Sequence, residues 1–252
     1  MLISIITVTF NADKTLAKLL AVTKTVLEKY EDVEHVIVDG ASTDTTVAMA
    51  TLYANSHPNV KLLSEPDAGI YDAMNKGLAL ASGDYIHHLN GDDWIDDLNG
   101  FDAMYQLLKS KRPLVLSSPV AIYEGQDVYR VLPAKPINDF HAKFGFHFPH
   151  QGTFFARQVF ELTKGYSDRI GYVADKIFCF QLLDVLPSGS AVSYDKVTFA
   201  QAAGGVSSKS SFTPIRTFIL TIQASKHVSF KHPIARAFFN LVFKLWLFLK
   251  IY

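Results

Sequence analysis

Short apolar runs alternate with amphipathic stretches over the first third of the chain, and this alternation constrains the fold more than any other feature. Leu2–Phe10 is rich in Ile, Val and Thr and reads as a buried strand. Asn11-Ala12-Asp13 breaks it. Leu16, Leu19, Leu20, Thr23, Val26, Leu27 and Tyr30 then recur at helical spacing and form one apolar face. A second strand, His35-Val36-Ile37-Val38-Asp39-Gly40, ends in a carboxylate and a glycine. Ala41-Ser42-Thr43-Asp44 supplies cap residues, and Thr46–Ala54 reads as a helix. Val60–Ser64 is a third strand and Glu65-Pro66-Asp67-Ala68-Gly69 a turn. Ile70–Ala81 then reads as a helix with Ile70, Met74, Leu78 and Ala81 facing inward. Strands that alternate with helices form crossover units around a parallel sheet. The expected fold class is therefore α/β, with Thr9, Asn11, Asp39, Glu65 and Asp67 gathered along one rim of strand ends.

The next strand, Asp84-Tyr85-Ile86-His87-His88-Leu89, runs into the polar tip Asn90-Gly91-Asp92-Asp93. At the carboxyl end of a strand in an open α/β sheet, such a tip lies where ligands bind. Adjacent carboxylates repel unless a cation holds them, and oxygen ligands suit Mg²⁺ or Mn²⁺. The plain structural alternative is a strand followed by an acidic helix cap, since Asp96 and Asp97 lie close by. The rim lacks the usual phosphate loops: no G-x-G-x-x-G follows the first strand and no G-x-x-x-x-G-K-[ST] occurs. Asp39 is either a nucleotide contact or a turn former before Gly40.

Beyond the tip, Trp94–Lys109 reads as a helix with Leu98, Phe101, Tyr105 and Leu108 on one stripe. Leu114–Val120 and Asp127–Leu132 read as strands around Glu124-Gly125-Gln126, a plausible hairpin. Pro133–Phe146 is a long polar and aromatic loop, of a length usually tied to function or disorder. His147 and His150 lack a third ligand at metal spacing, so a zinc site is not expected there. Asp175 opens a helix whose Ile177, Phe180 and Leu183 face inward. It is either a catalytic carboxylate or an N-cap. Ala191–Gln201 reads as a final strand, followed by Ala203-Gly204-Gly205-Val206-Ser207-Ser208, whose glycines give a closing loop its backbone freedom.

Four ordered stretches resemble the nucleotide-binding half of the family 2 glycosyltransferases, which have the GT-A fold. They are Ser4–Asn11, Val38–Asp44, Ser64–Gly77 and Ala81–Asp93. The polysaccharide-building subgroup of bacteria (capsule, exopolysaccharide, O-antigen) is the one most resembled. The resemblance implies a GT-A type, Rossmann-like and mostly parallel sheet flanked by helices. It implies that residues 1–210 form a catalytic domain, with 1–95 as the nucleotide half and 96–210 as the acceptor half. Thr9 and Asn11 would flank the nucleotide, Asp39 would accept the uracil imide hydrogen, and Asp67 would border the ribose. Asn90-Gly91-Asp92 stands where the family carries Asp-x-Asp. Asp92 and the adjacent Asp93 would hold Mn²⁺ or Mg²⁺, and Asn90 would turn to the ribose hydroxyls. His150 and Gln151 would lie in the acceptor half, Gly204, Gly205 and Ser207 in a lid over the donor. Asp175 would be the base of an inverting sugar transfer. Lys176 departs from the aromatic residue common at that position.

The tail has a chemistry of its own. After Asp195 no acidic residue occurs, while Lys196, Lys209, Arg216, Lys226, Lys231, Arg236, Lys244 and Lys250 are basic, so the zero net charge hides a positive last quarter. Thr213–Phe230 and Pro233–Tyr252 read as helices, and residues 211–252 as a basic amphipathic appendage. The uncharged run Leu245–Leu249 is far short of the ~20 apolar residues a membrane span needs. Basic charge beside Trp and Phe fits a helix lying on an anionic membrane surface. Packing on the catalytic domain, or on the partner in a homodimer, is the alternative. The interleaved Leu and Phe argue against nucleic acid. A single cysteine, Cys179, fits a reducing compartment, and MLISIITVTF, which lacks a basic leader and a small-residue cleavage site, is not expected to be a signal peptide. The expected location is cytoplasmic, peripheral on the inner face of the cytoplasmic membrane.

The expected activity is metal-dependent, inverting transfer from a nucleotide sugar, with UDP as the expected nucleotide, to a lipid-linked or oligosaccharide acceptor. A sugar-phosphate nucleotidyltransferase is the first alternative, but Thr9-Phe10-Asn11-Ala12 is not the Gly-rich loop it needs. A non-catalytic, membrane-associated nucleotide-binding partner is the second, supported only by Asn90.

Overall fold

The computed structural model describes residues 1–134, 148–167, 170, 173–187, 189–203, 213–225, 227, 231–235, 237, 238 and 241. Strand β1 (Ile3–Thr9) and strand β2 (Val33–Asp39) are buried at all seven positions each. Such continuous apolar runs mark strands covered on both faces. Helix α1 (Leu16–Lys29) links them, and α2 (Thr46–Ser56) leads to β3 (Val60–Ser64). Helix α3 (Ile70–Leu80) returns to β4 (Tyr85–His88), which pairs with β1 in parallel. These units bear out the expected crossovers over the first ninety residues.

The main sheet has seven strands in the order β10-β6-β9-β4-β1-β2-β3. Its left half is built by β6 (Val115–Ser117), β9 (Thr153–Ala156) and β10 (Ala191–Ser193). Only β9 runs antiparallel to its neighbours β4 and β6. A second sheet, β5-β11-β7-β8, contains β5 (Asp93–Ile95), β7 (Val120–Glu124), β8 (Asp127–Leu132) and β11 (Phe199–Ala202). The fold is thus α/β with a mixed, mostly parallel main sheet flanked by helices. Helix α4 (Leu98–Lys111) follows β5, α5 (Arg157–Thr163) follows β9, α6 (Ala174–Val185) precedes β10, and α7 (Thr213–Ala224) opens the tail.

Four local expectations need correction. Trp94 lies in β5, not in a helix, because Asp97 caps α4 by accepting the Asn99 N–H at 3.0 Å and so fixes its start. Leu114–Val120 is not one strand. The chain leaves the main sheet at Ser118-Pro119, where the Ser118 N–H turns to the Gly152 carbonyl at 2.8 Å and Pro119 has no donor to offer. Ala191–Gln201 likewise splits into β10 and β11, in different sheets. In α3, Met74 and Ala81 are buried but Ile70 is exposed. The helix rests instead on Gly77, where a Cβ would stand 2.5 Å from Ile6 Cγ2. The hairpin around Gly125 is present, with β7 and β8 antiparallel. The expected loop Pro133–Phe146 lies largely, and the tail beyond residue 241 wholly, outside the described residues.

Glu34, Thr7 and His35 pair within the sheet, whereas the His88 ring nitrogens and the Ser117 hydroxyl, also buried there, have no hydrogen-bond partner among the described residues. Glu34 is 2% exposed, receives hydrogen bonds from Ser4 Oγ (2.6 Å) and Ser82 Oγ (2.8 Å), and pairs with Lys61 Nζ at 2.9 Å. Burial alone would raise its carboxyl, but the Lys61 ammonium and the serine donors prevail and hold it down to about 2. Thr7 donates to the Leu89 carbonyl, so it accepts from His35 Nε2–H at 2.8 Å, which sets the tautomer. The start of the tail packs on α6 and the residues before it: Ala224 joins a cluster with Ile170, Val173, Ala174, Ile177 and Phe180, and Lys231 N–H bonds Asp184. Among the described residues no helix is long and apolar enough to cross a membrane.

Burial holds His35 and His87 down to about 3 and His88 well below its ordinary value, so all three are neutral in the folded chain. Unfolding returns them to a value near 6.5, and between about 3 and 6.5 the unfolded state binds the extra protons. Their contribution is full above that window and is lost as pH falls through it, by up to ~1.4 kcal/mol per pH unit for each group. The melting temperature should therefore fall from pH 7 to pH 5. The fall should be shallower in His87→Phe, which keeps the ring stacked between Phe154 and Phe199 but removes one titration. Equal slopes in variant and wild type would contradict this assignment.

Candidate active site

The rim is built where β1, β2 and β4 end. Parallel pairing sets Thr9 opposite Asp39. Asp39 is wholly buried and accepts four hydrogen bonds: Thr9 Oγ1 (3.0 Å) and Ser42 Oγ (2.5 Å) on Oδ1, Ser42 N (2.9 Å) and Ser64 Oγ (3.0 Å) on Oδ2. A carboxylate has about four acceptor positions, and here all are used. Asp39 thus ties three strand ends together. Asn11, in the left-handed region at φ 48°, accepts the Thr43 N–H at 2.9 Å and gives its own N–H to Ser42 Oγ at 2.8 Å. The Asp67 carboxylate lies against Gly40, where a Cβ would stand 2.5 Å from its Oδ2. Asp67 Oδ1 also takes the Gly69 N–H at 2.8 Å, just before α3.

The acidic tip sits beside this rim. Gly91 N–H reaches the Val8 carbonyl at 3.3 Å, and a Cβ on Gly91 would meet Thr9 Cγ2 and Ala12 Cβ at 3.3 Å. Asp93 is buried, and its Oδ2 accepts the Asn90 N–H at 2.9 Å. Burial and the neighbouring Asp92 charge push its carboxyl well up. As placed, Asp93 closes the turn and faces inward. Asp92 is half-buried, and burial pushes its carboxyl up too. Asn90 Oδ1 is buried, and no hydrogen-bond partner for it is found among the described residues. An acceptor without a donor beside a desolvated carboxylate is a place with unmet demand for positive charge. The described residues contain no cluster of three His, Cys, Asp or Glu side chains able to hold an ion alone. A cation here would need oxygens from its substrate, as Mg²⁺ commonly does.

Helix α6 and the turn before it meet the rim through α3. Asp175 stands in the first turn of α6, and its Oδ1 accepts from Lys176 N at 2.7 Å and from Tyr71 Oη at 3.2 Å. One turn further along α3, Asn75 clamps the backbone of Tyr166: its Nδ2 donates to the Tyr166 carbonyl at 2.7 Å, and its Oδ1 accepts the Tyr166 N–H at 3.1 Å. Tyr166 Oη in turn lies 2.8 Å from His150 Nε2, and the His150 ring stacks on His88 at 5.2 Å. His150 is buried, which lowers its affinity for a proton against the pull of the Asp175 charge. Gln151 is half-buried in the same 3-10 turn.

Thr9, Asn11, Asp39, Asp67, Asn90, Gly91 and Asp92 therefore share one rim, and Asp175 reaches it through Tyr71. Gly204, Gly205 and Ser207 lie outside the described residues. Sequence reading missed Tyr71, Asn75, Tyr166 and His88. The first two were in view within Ser64–Gly77, but helical spacing reports only the inward face and says nothing of partners about ninety residues away.

Residues 4–164 match the family described as Glycosyl transferase family 2. An uncharacterized glycosyltransferase of Mycobacterium tuberculosis is 33% identical over 185 residues, which is 70% of this chain and 66% of that protein. The cholesterol galactosyltransferase of Borreliella burgdorferi is 28% identical over 123 residues, 48% of this chain and 33% of its own. The chain thus spans two thirds or less of the length of these relatives. Among solved structures, S. aureus TarS 1-349 in complex with UDP-GlcNAc superposes with a TM-score of 0.68 at 17% identity, covering 94% of this chain and 69% of that one. The mannosyltransferase PcManGT from Pyrobaculum calidifontis, in complex with GDP-Man and Mn²⁺, gives 0.65 at 17% identity over 95% and 69%. These two likenesses concern the fold.

The matched stretch covers more than half of the chain and includes the whole rim from Thr9 to Asp92. The chain belongs to glycosyl transferase family 2.

Proposed function

We propose that this chain is an inverting, metal-dependent hexosyltransferase. It would move a sugar from a nucleotide sugar, with UDP as the favoured nucleotide, to a lipid-linked or oligosaccharide acceptor in bacterial polysaccharide biosynthesis. The observation that carries the reading is the unpartnered Asn90 oxygen next to the desolvated Asp92, set beside the Asp39 rim, with a second carboxylate, Asp175, bonded to Tyr71 at the start of α3. A fold relative holding UDP-GlcNAc and another holding GDP-Man with Mn²⁺ support it.

Asp92, with the neutral Asn90 oxygen, would hold the ion, and Asp93 would keep the turn that presents them. When bound, Mn²⁺ or Mg²⁺ would neutralise the diphosphate. Thr9, Asn11, Asp39 and Asp67 would shape the base and ribose pocket, with Asp39 acting first through its ties to Ser42 and Ser64. Asp175 would take the proton of the acceptor hydroxyl as its oxygen attacks the anomeric carbon. Attack on the face opposite the diphosphate breaks the sugar–oxygen bond there and inverts the anomeric centre. His150 and Gln151 would line the acceptor side, and Gly204, Gly205 and Ser207 would close over the donor. The basic tail would bring the enzyme to an anionic membrane surface, on the cytoplasmic face where nucleotide sugars are made.

Two outcomes test this. Purified protein with Mn²⁺ should release nucleotide from at least one of UDP-glucose, UDP-galactose, UDP-N-acetylglucosamine and GDP-mannose, and its glycoside product should carry the inverted anomeric configuration by NMR. Asp175→Asn should lower turnover on the order of 100-fold or more. Retained configuration, or unchanged turnover in Asp175→Asn, would overturn the mechanism. The tail is tested separately. The full chain should co-sediment with vesicles containing anionic phospholipid and not with neutral ones, and high salt should release it. Equal partition to both would remove the membrane role.

A further inference from the structure

Helix α3 begins at the donor rim and carries two polar contacts on one face, one turn apart. Tyr71 and Asn75 are spaced i, i+4 and therefore project side by side. Tyr71 donates to Asp175 Oδ1, and Asn75 holds the Tyr166 backbone from both sides. Both partners belong to the acceptor half. Gly165, at φ 75°, fits against this clamp because a Cβ there would stand 2.9 Å from Asn75 Oδ1.

The Tyr71 ring is part of the packing as well. It lies against the cluster of Ile170, Val173, Ala174, Ile177 and Phe180 and within 5.8 Å of the Tyr166 ring. Its hydroxyl is thus held in place by apolar contact before any substrate arrives. Burial and the Asp175 charge push that hydroxyl above its ordinary value, so Tyr71 remains a donor at any working pH. Among the described residues, both donors to Asp175 act on Oδ1, namely Tyr71 Oη and Lys176 N–H. A carboxylate fixed through one oxygen presents the other in a defined direction.

We infer that Tyr71 is a positioning residue for the base, fixing Asp175 through Oδ1 so that Oδ2 faces the acceptor hydroxyl. Asn75 supports it by locking the Gly165-Tyr166 turn against the same helix. The inference rests on the reading of Asp175 as the base. Because α3 starts directly after Asp67–Gly69, the element that borders the donor also sets the base, which ties the two halves of the reaction together. The aligned base supplies part of the rate that correct orientation can give.

The test is a double-mutant cycle of Tyr71→Phe and Asp175→Asn, read as nucleotide release with Mn²⁺ from the most rapidly used of the four nucleotide sugars above. Tyr71→Phe keeps the ring in its packing and removes only the donor. It should lower kcat roughly 10- to 100-fold while leaving the donor KM and the melting temperature near wild type. In the Asp175→Asn background the same change should have no further effect on kcat, because Tyr71 acts through Asp175. Multiplicative losses, or wild-type kcat in Tyr71→Phe while Asp175→Asn is impaired, would overturn the inference. Full activity in Asp175→Asn would instead overturn the base assignment. Crystal structures add a readout independent of turnover: Asp175 should hold one rotamer in the wild type and more than one in Tyr71→Phe. An unmoved Asp175 side chain in the variant would contradict the inference directly.

Discussion

The buried carboxylate of Asp39 is the tie on which the site depends. A lone carboxylate in a dry sheet end would be costly, but this one has all its acceptor positions filled by Thr9, Ser42 and Ser64. Its donors come from the ends of β1 and β3 and from the turn before α2. One side chain therefore aligns the ends of three strands and so two successive crossover units, next to Gly40, which lies against Asp67. The neighbouring tip is the reverse case. There burial raises both carboxyls, Asp93 takes the Asn90 N–H, and the Asn90 side-chain oxygen has no hydrogen-bond partner among the described residues. The same sheet edge thus carries one fully satisfied carboxylate and one unpartnered acceptor.

Helix α3 gives the site its second dimension. It is seated on β1 by Gly77, starts at the rim of strand ends, and reaches across to α6 and to the turn before it through Tyr71 and Asn75. The later part of the chain also joins the first ninety residues through β9, which enters the main sheet antiparallel beside β4. A shared sheet and a helix bonded on both sides tie Asp175 to the same framework as the rim.

Much of this was legible in the sequence wherever one element declared itself locally. Leu2–Phe10 and His35–Gly40 read as buried strands because no charged residue interrupts their cores, and their terminal polar residues fell on one rim because parallel strands end on one side. Asp92 stood out because a strand ended there in paired acids. What stayed hidden was non-local. The exits of Ser118-Pro119 and Tyr194 from the main sheet depend on which strand lies next in space, so Leu114–Val120 and Ala191–Gln201 read as single strands. Trp94 read as helical because β5 is only three residues long and borrows its pairing from β11, about a hundred residues later. The inward turn of Asp93 and the filled acceptors of Asp39 are hydrogen-bond facts, which residue type alone does not disclose. Tyr71 carried no signal at all, since its partner is defined only once α6 is docked.

On the function proposed above, the Asn90–Asp92 tip would hold a divalent ion that carries a nucleotide diphosphate. The decisive measurement is calorimetric titration with UDP and with GDP, in the presence and absence of Mn²⁺, for wild type and for Asp92→Ala. UDP binding should require Mn²⁺ and disappear in the variant. Nucleotide binding of the same strength without the metal, or undiminished in Asp92→Ala, would contradict it.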